Sequence, residues 1–258
     1  MVPRIYAPPV QEGKDTVELA EDTVRYLRNV LRLGRGDGIL LFDGTGWEYR
    51  GLIERLEGRE GTARIVARER VPLAIPVRIT LAQALPKGDK MEFIVQKATE
   101  LGVARIVPFR SARTIPRRTE DRAARRLERW RRIAAEAAEQ CGRTDVPEIA
   151  EPLPFREALE QAGPEAVKIL FWESEPERSV RGILKGDAAR SAKEFFLVVG
   201  PEGGITGEEA EQARQAGFLT ASLGRLVLRV ETAALAILAI FQYECGLIGA
   251  LKGKDRDG

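Results

Sequence analysis

Three stretches in the last third of this 258-residue chain have residue types suited to holding a small ligand. They are Leu170-Phe171-Trp172-Glu173, Val199-Gly200-Pro201-Glu202-Gly203-Gly204, and Ser222-Leu223-Gly224-Arg225-Leu226-Val227-Leu228-Arg229. Each stands at the end of a β-rich run, and open α/β sheets bind ligands outside the C-terminal ends of their strands. Glycines placed there let the backbone approach a ligand and present its N–H groups. Leu223, Leu226 and Leu228 would line a flat apolar slot of the kind an adenine needs. Taken singly, a glycine-rich loop between strand and helix fits ordinary turn chemistry equally well.

Composition removes many other chemistries. The chain has no histidine, so a Ser-His-Asp triad, a Cys-His pair and the common histidine zinc sites all drop out. Acid–base work must use Asp, Glu, Lys, Tyr or water. Cys141 and Cys245 show no metal or redox spacing, and no metal is implied. No Gly-Lys-Ser/Thr phosphate loop is present, and the glycines of 34–38 and 44–46 sit between strands as turns, not in a βαβ unit. The longest apolar run, Ala233 to Phe241, is nine residues, about half of what a bilayer needs. The first residues, Met-Val-Pro-Arg, lack the apolar stretch of a secretory signal, so a cytoplasmic protein without a membrane partner is expected.

The net charge of +2 is unevenly spread. Ten arginines against three acids from Arg110 to Arg132 leave a local excess of seven positive charges, while the remaining chain is acidic. Such a concentration suits a polyanion, or else a solvated helix face. Further upstream, Arg25, Arg28, Arg32 and Arg35 recur at helical spacing, with Leu27, Val30 and Leu31 falling on the other side. That is a candidate phosphate-binding face.

The elements that must position these residues fall into two groups. Runs 38–43, 47–56 and 62–70 read as strands separated by glycine-bearing turns, interrupted by a helix over about 22–33 that Gly34 ends. Residues 71–76, with two prolines, read as a linker between a domain at 1–70 and another at 77–250. Beyond it strand and helix alternate. Strands are expected at 77–85, 103–109, 166–173, 194–200 and 218–223, with helices at 89–101, 119–140, 154–162, from 206, and at 231–245. Asp89 with Glu92, and Thr206 with Glu209, read as capping boxes. This alternation means a parallel α/β sheet covered on both faces. The last helix is apolar on nearly every side, through Leu235, Ile237, Leu238, Ile240, Phe241 and Tyr243, and should be buried all round in a core or against a partner.

Several of these segments together resemble a known family. Val198-Val199-Gly200-Pro201-Glu202-Gly203-Gly204, then Ser222-Leu223-Gly224, then Leu228-Arg229-Val230-Glu231-Thr232-Ala233-Ala234 closely resemble the 16S ribosomal RNA uracil-N3 methyltransferases of the SPOUT superfamily. So do residues 84–92, 96–103 and 26–33, in the right order and over nearly the whole chain. One departure is visible: Thr23-Val24-Arg25 stands where relatives often carry a histidine, and any RNA contact through that histidine is absent here.

The resemblance implies an N-terminal PUA-like β-barrel that holds RNA, a SPOUT-type parallel sheet with a C-terminal deep trefoil knot, and a homodimer. It implies S-adenosylmethionine as donor, S-adenosylhomocysteine as product, and a uridine in the decoding region of 16S rRNA, on the small ribosomal subunit, as acceptor. The donor site would draw on Leu170, Phe171, Trp172, Gly200, Pro201, Glu202, Gly203, Gly204, Ser222, Leu223, Gly224, Leu226, Leu228, Arg229 and Thr232. RNA would meet Arg25, Arg28, Arg32, Arg113, Arg117 and Arg118. Uracil N3 bears a proton at neutral pH, so Arg229 would stabilise the ring oxygens while Glu231 or Glu202 takes the proton. N3 also lies on the pairing edge, so the target must be unpaired or extruded. Two alternatives stand beside this one. A ribose 2′-O-methyltransferase of the same superfamily is disfavoured because the loop reads Gly200-Pro201-Glu202 rather than Gly-Asn-Glu. A non-catalytic RNA-binding assembly factor would bind no donor.

Overall fold

The computed structural model describes residues 2–7, 10, 14–71, 77–114 and 121–249. The chain divides into two compact units, Met1–Leu73 with Ala135–Val146, and Ala74–Ala134 with Pro147–Gly258. The excursion of 135–146 into the first unit is not visible in the sequence pattern.

The first unit contains β1 (Arg4–Tyr6), β2 (Thr16–Leu19), α1 (Glu21–Arg25), β3 (Gly38–Phe42), β4 (Trp47–Glu57) and β5 (Glu60–Arg70). Its sheet has the order β1-β3-β4-β5-β2, antiparallel except where β1 joins β3. β1 and β2 are edges, so the expected PUA-like β-barrel is a curled half-barrel. Register shifts at Arg50/Gly51 and Ile53/Arg55 in the β4–β5 ladder supply local bends. Alternate residues Ile39, Leu41, Ile53, Ala63 and Ile65 point into one core with Val24 and Leu27.

The helix expected over 22–33 differs in kind. After α1 the chain runs one wide π turn, Tyr26–Val30, in which Leu31 N–H donates to Tyr26 O at 3.1 Å. The wider turn keeps Leu27 buried but rotates Val30 outward, leaving it 66% exposed instead of packed. The stop is made by Arg32, at φ 55°, and not by Gly34, whose N–H is taken by the Asp37 carboxylate at 2.7 Å. Arg25, Arg28 and Arg32 remain on the surface, with Arg25 paired to Asp22 at 2.9 Å.

In the second unit the strands are β6 (Arg78–Ala84), β7 (Arg105–Arg110), β8 (Glu148–Ile149), β9 (Leu153–Pro154), β10 (Val167–Phe171), β11 (Glu194–Val199) and β12 (Leu219–Ala221). They are joined by α2 (Lys90–Glu100), α3 (Asp121–Cys141), α4 (Phe155–Glu160), α5 (Val180–Leu184), α6 (Asp187–Arg190) and α7 (Gly207–Gln215), and α8 (Val230–Glu244) ends the fold. All pairings are parallel, in the order β12-β10-β11-β6-β7-β8, with β9 also on β7. The chain lays down β6 to β9 outward, crosses to β10, and then returns to fit β11 between β6 and β10. The loops after β6, β10, β11 and β12 therefore gather at one sheet edge, where the chain order reverses and ligands commonly bind.

Adjacent residues of β11 point to opposite faces. Phe196 meets Phe218, in a core shared with α4 and α7, while Phe195 meets Phe241 of α8. The Thr206–Glu209 capping box forms in full. The one expected at Asp89 does not, because Glu92 instead pairs with Arg129 of α3 at 2.7 Å. Burial of α8 is one-sided. Ala234, Ile237, Leu238 and Phe241 are buried, Leu235 and Ile240 are partly covered, and Tyr243 is 65% exposed. An apolar sequence fixes what a helix could bury, and one sheet can cover only one side of it. No described helix is long and apolar enough to cross a membrane.

Candidate active site

The loops after β10, β11 and β12 enclose a cleft of about 470 Å³. Residues 200–202 with Gly204 form one wall, and 222–229 form another. Of the candidates, Phe171, Trp172, Gly200, Pro201, Glu202, Gly204, Ser222, Leu223, Gly224, Leu226, Leu228 and Arg229 all line it. Three do not. Leu170 is wholly buried in the core, Gly203 turns away toward Arg113, and Thr232 lies on the exposed side of α8. Leu226 and Val227 stand 79% and 86% exposed at the mouth, so that part of the apolar slot is open. Glu173, Ile205 and Lys90 also line the cleft. Lys90 follows the strand-loop-helix pattern of Pro86-Lys87-Gly88-Asp89, the same signal that singles out 200–204.

The 200–204 turn is tight. Gly204 N–H donates to Pro201 O at 2.9 Å with φ 72°, in the left-handed region. A β-carbon on Gly204 would lie 2.6 Å from Glu173 Oε1, and one on Gly200 would lie 2.9 Å from Ile205 Cγ1. Trp172 Nε1–H donates to Ile205 O at 3.1 Å, which fastens the far end of the turn to the β10 loop. Behind it, Glu175 accepts from the Thr220 hydroxyl and from the N–H groups of Glu177 and Arg178. Burial pushes that carboxyl up, but these donors and Arg214 outweigh it and hold it below its usual range. The β10 and β12 loops are thereby tied together.

One ammonium organises the charges. Lys90 Nζ lies 2.9 Å from Glu202 Oε1 and 3.4 Å from Glu231 Oε2. Both Glu202 oxygens also face the Lys87 N–H, at 3.1 and 3.3 Å. Burial raises the Glu202 carboxyl, but Lys90 and the backbone N–H groups of Glu202 and Lys87 outweigh burial and hold it below the ordinary carboxylate range. The hydrogen bond to Glu202 in turn pushes the Lys90 ammonium above its ordinary value. Glu231 stands in the first turn of α8; its Oε2 is buried and has no aligned hydrogen bond. Arg229, the residue before that helix, is exposed at the cleft with no ion pair to a described residue.

A smaller cavity of about 360 Å³ shares Pro201 and Glu202 with the cleft and includes Arg113, whose guanidinium donates to Gly203 O at 2.6 Å. Arg117 and Arg118 lie outside the described residues. Among the described residues no cluster of His, Cys, Asp and Glu could hold a metal ion.

Comparison with known proteins bears on this cleft. Residues 74–242 match the RNA methyltransferase domain family, and residues 19–66 match the RNA methyltransferase PUA domain family. The chain is 30% identical over 242 residues to ribosomal RNA small subunit methyltransferase E of Bacillus subtilis, covering 92% of this chain and 93% of that protein. The crystal structure of the Neisseria gonorrhoeae protein of the same name, bound to S-adenosyl methionine, superposes with a TM-score of 0.82 at 37% identity, over 94% of this chain and 98% of that one. A Legionella pneumophila protein solved with the cofactor bound gives 0.84 at 33% identity, with the same coverage.

Proposed function

This chain belongs to the RNA methyltransferase family that includes ribosomal RNA small subunit methyltransferase E, and from that premise we propose that it methylates N3 of one uridine in 16S rRNA. It is an S-adenosylmethionine-dependent methyltransferase acting on small-subunit ribosomal RNA. The observation that carries the reading is the one cleft walled by 200–202 with Gly204 and by 222–229.

The cleft suits the donor. Its volume lies within the range of about 300–1,000 Å³ common for small-ligand sites. Gly200 and Gly204 leave no side chain between the backbone and a ligand, and Ile205, Leu223 and Leu228 offer an apolar bed for an adenine. Glu202, whose carboxyl is held low, suits the positive charge of a sulfonium, and Glu173 lines the same cleft. Bound there, S-adenosylmethionine supplies an electrophilic methyl group and leaves as the neutral thioether S-adenosylhomocysteine.

The chain's own residues handle the acceptor. Of the two candidate proton acceptors, Glu202 is poorly placed to serve, since both its oxygens are engaged and its carboxyl is held low. We assign the N3 proton to Glu231. Arg229, free at the cleft, sets a cation against the uracil oxygens as charge develops on them. No covalent enzyme intermediate is needed.

The remaining parts follow the same reading. Residues 1–70 form the RNA-holding domain and 77–250 the catalytic one. Arg25, Arg28 and Arg32 meet phosphates, and Arg113 guides RNA at the cleft's edge, with Arg117 and Arg118 close in sequence. The return of the chain to seat β11 supports a deep trefoil knot. A homodimer is supported by the one-sided burial of α8, which leaves Tyr243 uncovered, and by exposed Phe93 on the adjoining α2. The protein works in the cytoplasm.

The test is incubation with labelled donor and small-subunit RNA, followed by digestion to nucleosides. N3-methyluridine is expected; label on a ribose 2′-oxygen would overturn the N3 assignment. Absence of heat on titrating S-adenosylmethionine would replace the enzyme with an RNA-binding assembly factor. A second prediction concerns the turn. Gly204→Ala should weaken donor binding by about tenfold or more, since the left-handed backbone costs about 1–2 kcal/mol with a β-carbon and Glu173 must also move. Calorimetry reads it, and an unchanged affinity would remove 200–204 from the donor site.

A further inference from the structure

The donor cleft continues into further space. The cavity of about 360 Å³ that shares Pro201 and Glu202 with it also has Leu85, Pro86 and Gly88 in its wall. The same three residues line a third pocket, of about 770 Å³, set between the loop after β6, the end of β7 and the first half of α3. That pocket has no lining residue in common with the donor cleft. Its floor is apolar, made by Met91, Leu127 and Trp130, which are otherwise buried. Its rim is charged. Asp89, Arg110 and Glu151 are exposed there, and none of them has an ion pair or a side-chain hydrogen bond to a described residue.

An apolar floor with a few polar groups at the rim, in a volume between about 300 and 1,000 Å³, is the anatomy of a small-ligand site. Its position indicates the ligand. The acceptor base must reach the methyl group beside Glu202, where Arg113 stands. Drawing a base out of its stack leaves the adjacent base without a partner, and RNA-binding proteins offset that loss by seating unpaired bases and reading their pairing edges. A strand whose target enters at Glu202 continues past Leu85 and Pro86 into the larger pocket. Arg110 and Arg113 then suit the phosphates along that path. The carboxyl oxygens of Asp89 and Glu151 are acceptors, and they match a base that carries an exocyclic amino group.

We propose that this pocket is a second nucleotide site, which seats the unpaired base next to the methylated nucleotide and selects adenine, cytosine or guanine over uracil. This rests on the reading that RNA is methylated beside Glu202, but not on which atom receives the methyl group.

The experiment is chemical footprinting of unmethylated small ribosomal subunits, with S-adenosylhomocysteine bound to the protein and reagents that modify the pairing edges of unpaired bases. One base adjacent to the methylated nucleotide, and not a uracil, should be protected by about tenfold. Ala124 is exposed on the pocket wall, so Ala124→Trp fills the pocket from its solvent side without entering the core. At saturating protein that variant should lose protection at this one base and keep the rest of the footprint. Its half-saturating RNA concentration should rise about tenfold, with donor affinity by calorimetry within about twofold of wild type. Replacing the base by uracil should cost the wild-type protein about tenfold in RNA affinity, and Asp89→Asn with Glu151→Gln less than about threefold. No protected neighbour, or one protected equally in Ala124→Trp, overturns the proposal. So does loss of the entire footprint at saturation, which would make this face a general RNA contact. An equal cost of uracil in both proteins overturns the selection. If nucleoside digestion places the methyl group on a ribose, the N3 assignment fails, while the footprint beside that nucleotide still decides the pocket. Melting temperatures confirm that each variant is folded before its footprint is compared.

Discussion

Glu231→Gln should slow methyl transfer by about 100-fold or more at neutral pH, with donor affinity within about threefold of wild type. A positioned general base contributes about 10²- to 10⁴-fold to proton transfer, and each tenfold step corresponds to about 1.4 kcal/mol of barrier. Glutamine keeps the shape of the side chain and its place in the first turn of α8, so the change is confined to charge and basicity. The imide proton of uracil then loses the acceptor assigned to it, and Glu202 is a poor substitute because its carboxyl is held low. Glu202→Gln should be milder, about tenfold or less, because that carboxylate serves Lys90 and Lys87 rather than the substrate. Arg229→Ala should fall between the two, since it removes one cation from the developing charge and leaves the base in place. Single-turnover rates at saturating donor and RNA measure all three. If Glu231→Gln ran at the wild-type rate, the proton would have to leave by another route, and the order Glu231, Arg229, Glu202 would be meaningless.

That ordering could not be read from the chain. The sequence places Glu202 and Glu231 on equal terms, as two carboxylates beside glycine-rich and leucine-rich stretches. What separates them is Lys90, more than a hundred residues upstream of both. Local pattern locates a strand end and a helix start, but it does not say which side chains three distant loops bring within 3.5 Å of one another. The gathering of loops itself was legible. Alternation of strand and helix implies a parallel sheet, and a parallel sheet puts all its C-terminal strand ends on one edge. Leu170, Gly203 and Thr232 show the resolution of that argument. Each is next to a lining residue in sequence and each faces away. Leu170 does so because strand side chains alternate, Thr232 because successive helical side chains point in different directions around the axis, and Gly203 because the turn carries it toward Arg113.

The same contrast separates the two capping boxes. Thr206 and Glu209 satisfy each other within one turn, and the tertiary donor at Glu209, the Ala112 N–H at 2.8 Å, takes the other carboxylate oxygen and leaves the box intact. Asp89 and Glu92 have the same spacing, but Arg129 draws the Glu92 carboxylate to α3 with a charge-assisted bond. A tertiary partner overrides a local preference worth about 1 kcal/mol. The π turn at Tyr26–Val30 is a third case. Helical spacing counts Val30 on the packed side, whereas the wider turn carries it to the surface and lets Arg32, not glycine, take the left-handed stop. β1 and β2 are three and four residues long, and α5 and α6 five and four, too short for periodicity to register.

Phe241→Ala should cost the second unit about 3–5 kcal/mol of unfolding free energy, the usual penalty for emptying an aromatic core site. Phe241 is fully buried. Its ring meets Phe195 of β11 edge-on at 5.0 Å and Phe171 at the end of β10 at 6.2 Å. These two strands carry the cleft's loops, so one side chain fastens α8 to both walls. Edge-to-face pairs add about 0.5–1.5 kcal/mol each beyond the area they bury, and alanine forfeits both while leaving a void. Tyr243, two residues on, is the control. It is aromatic and in the same helix but exposed, and Tyr243→Ser should change stability by less than about 0.5 kcal/mol in a dilute monomer. In a homodimer joined across α8, Tyr243→Ser should instead weaken self-association, which sedimentation reads separately from unfolding. Urea denaturation followed by circular dichroism distinguishes the two sites. A Phe241→Ala variant within 1 kcal/mol of wild type would mean that α8 is held chiefly by something other than the sheet. The cleft would then owe its shape to a partner surface rather than to the chain's own core.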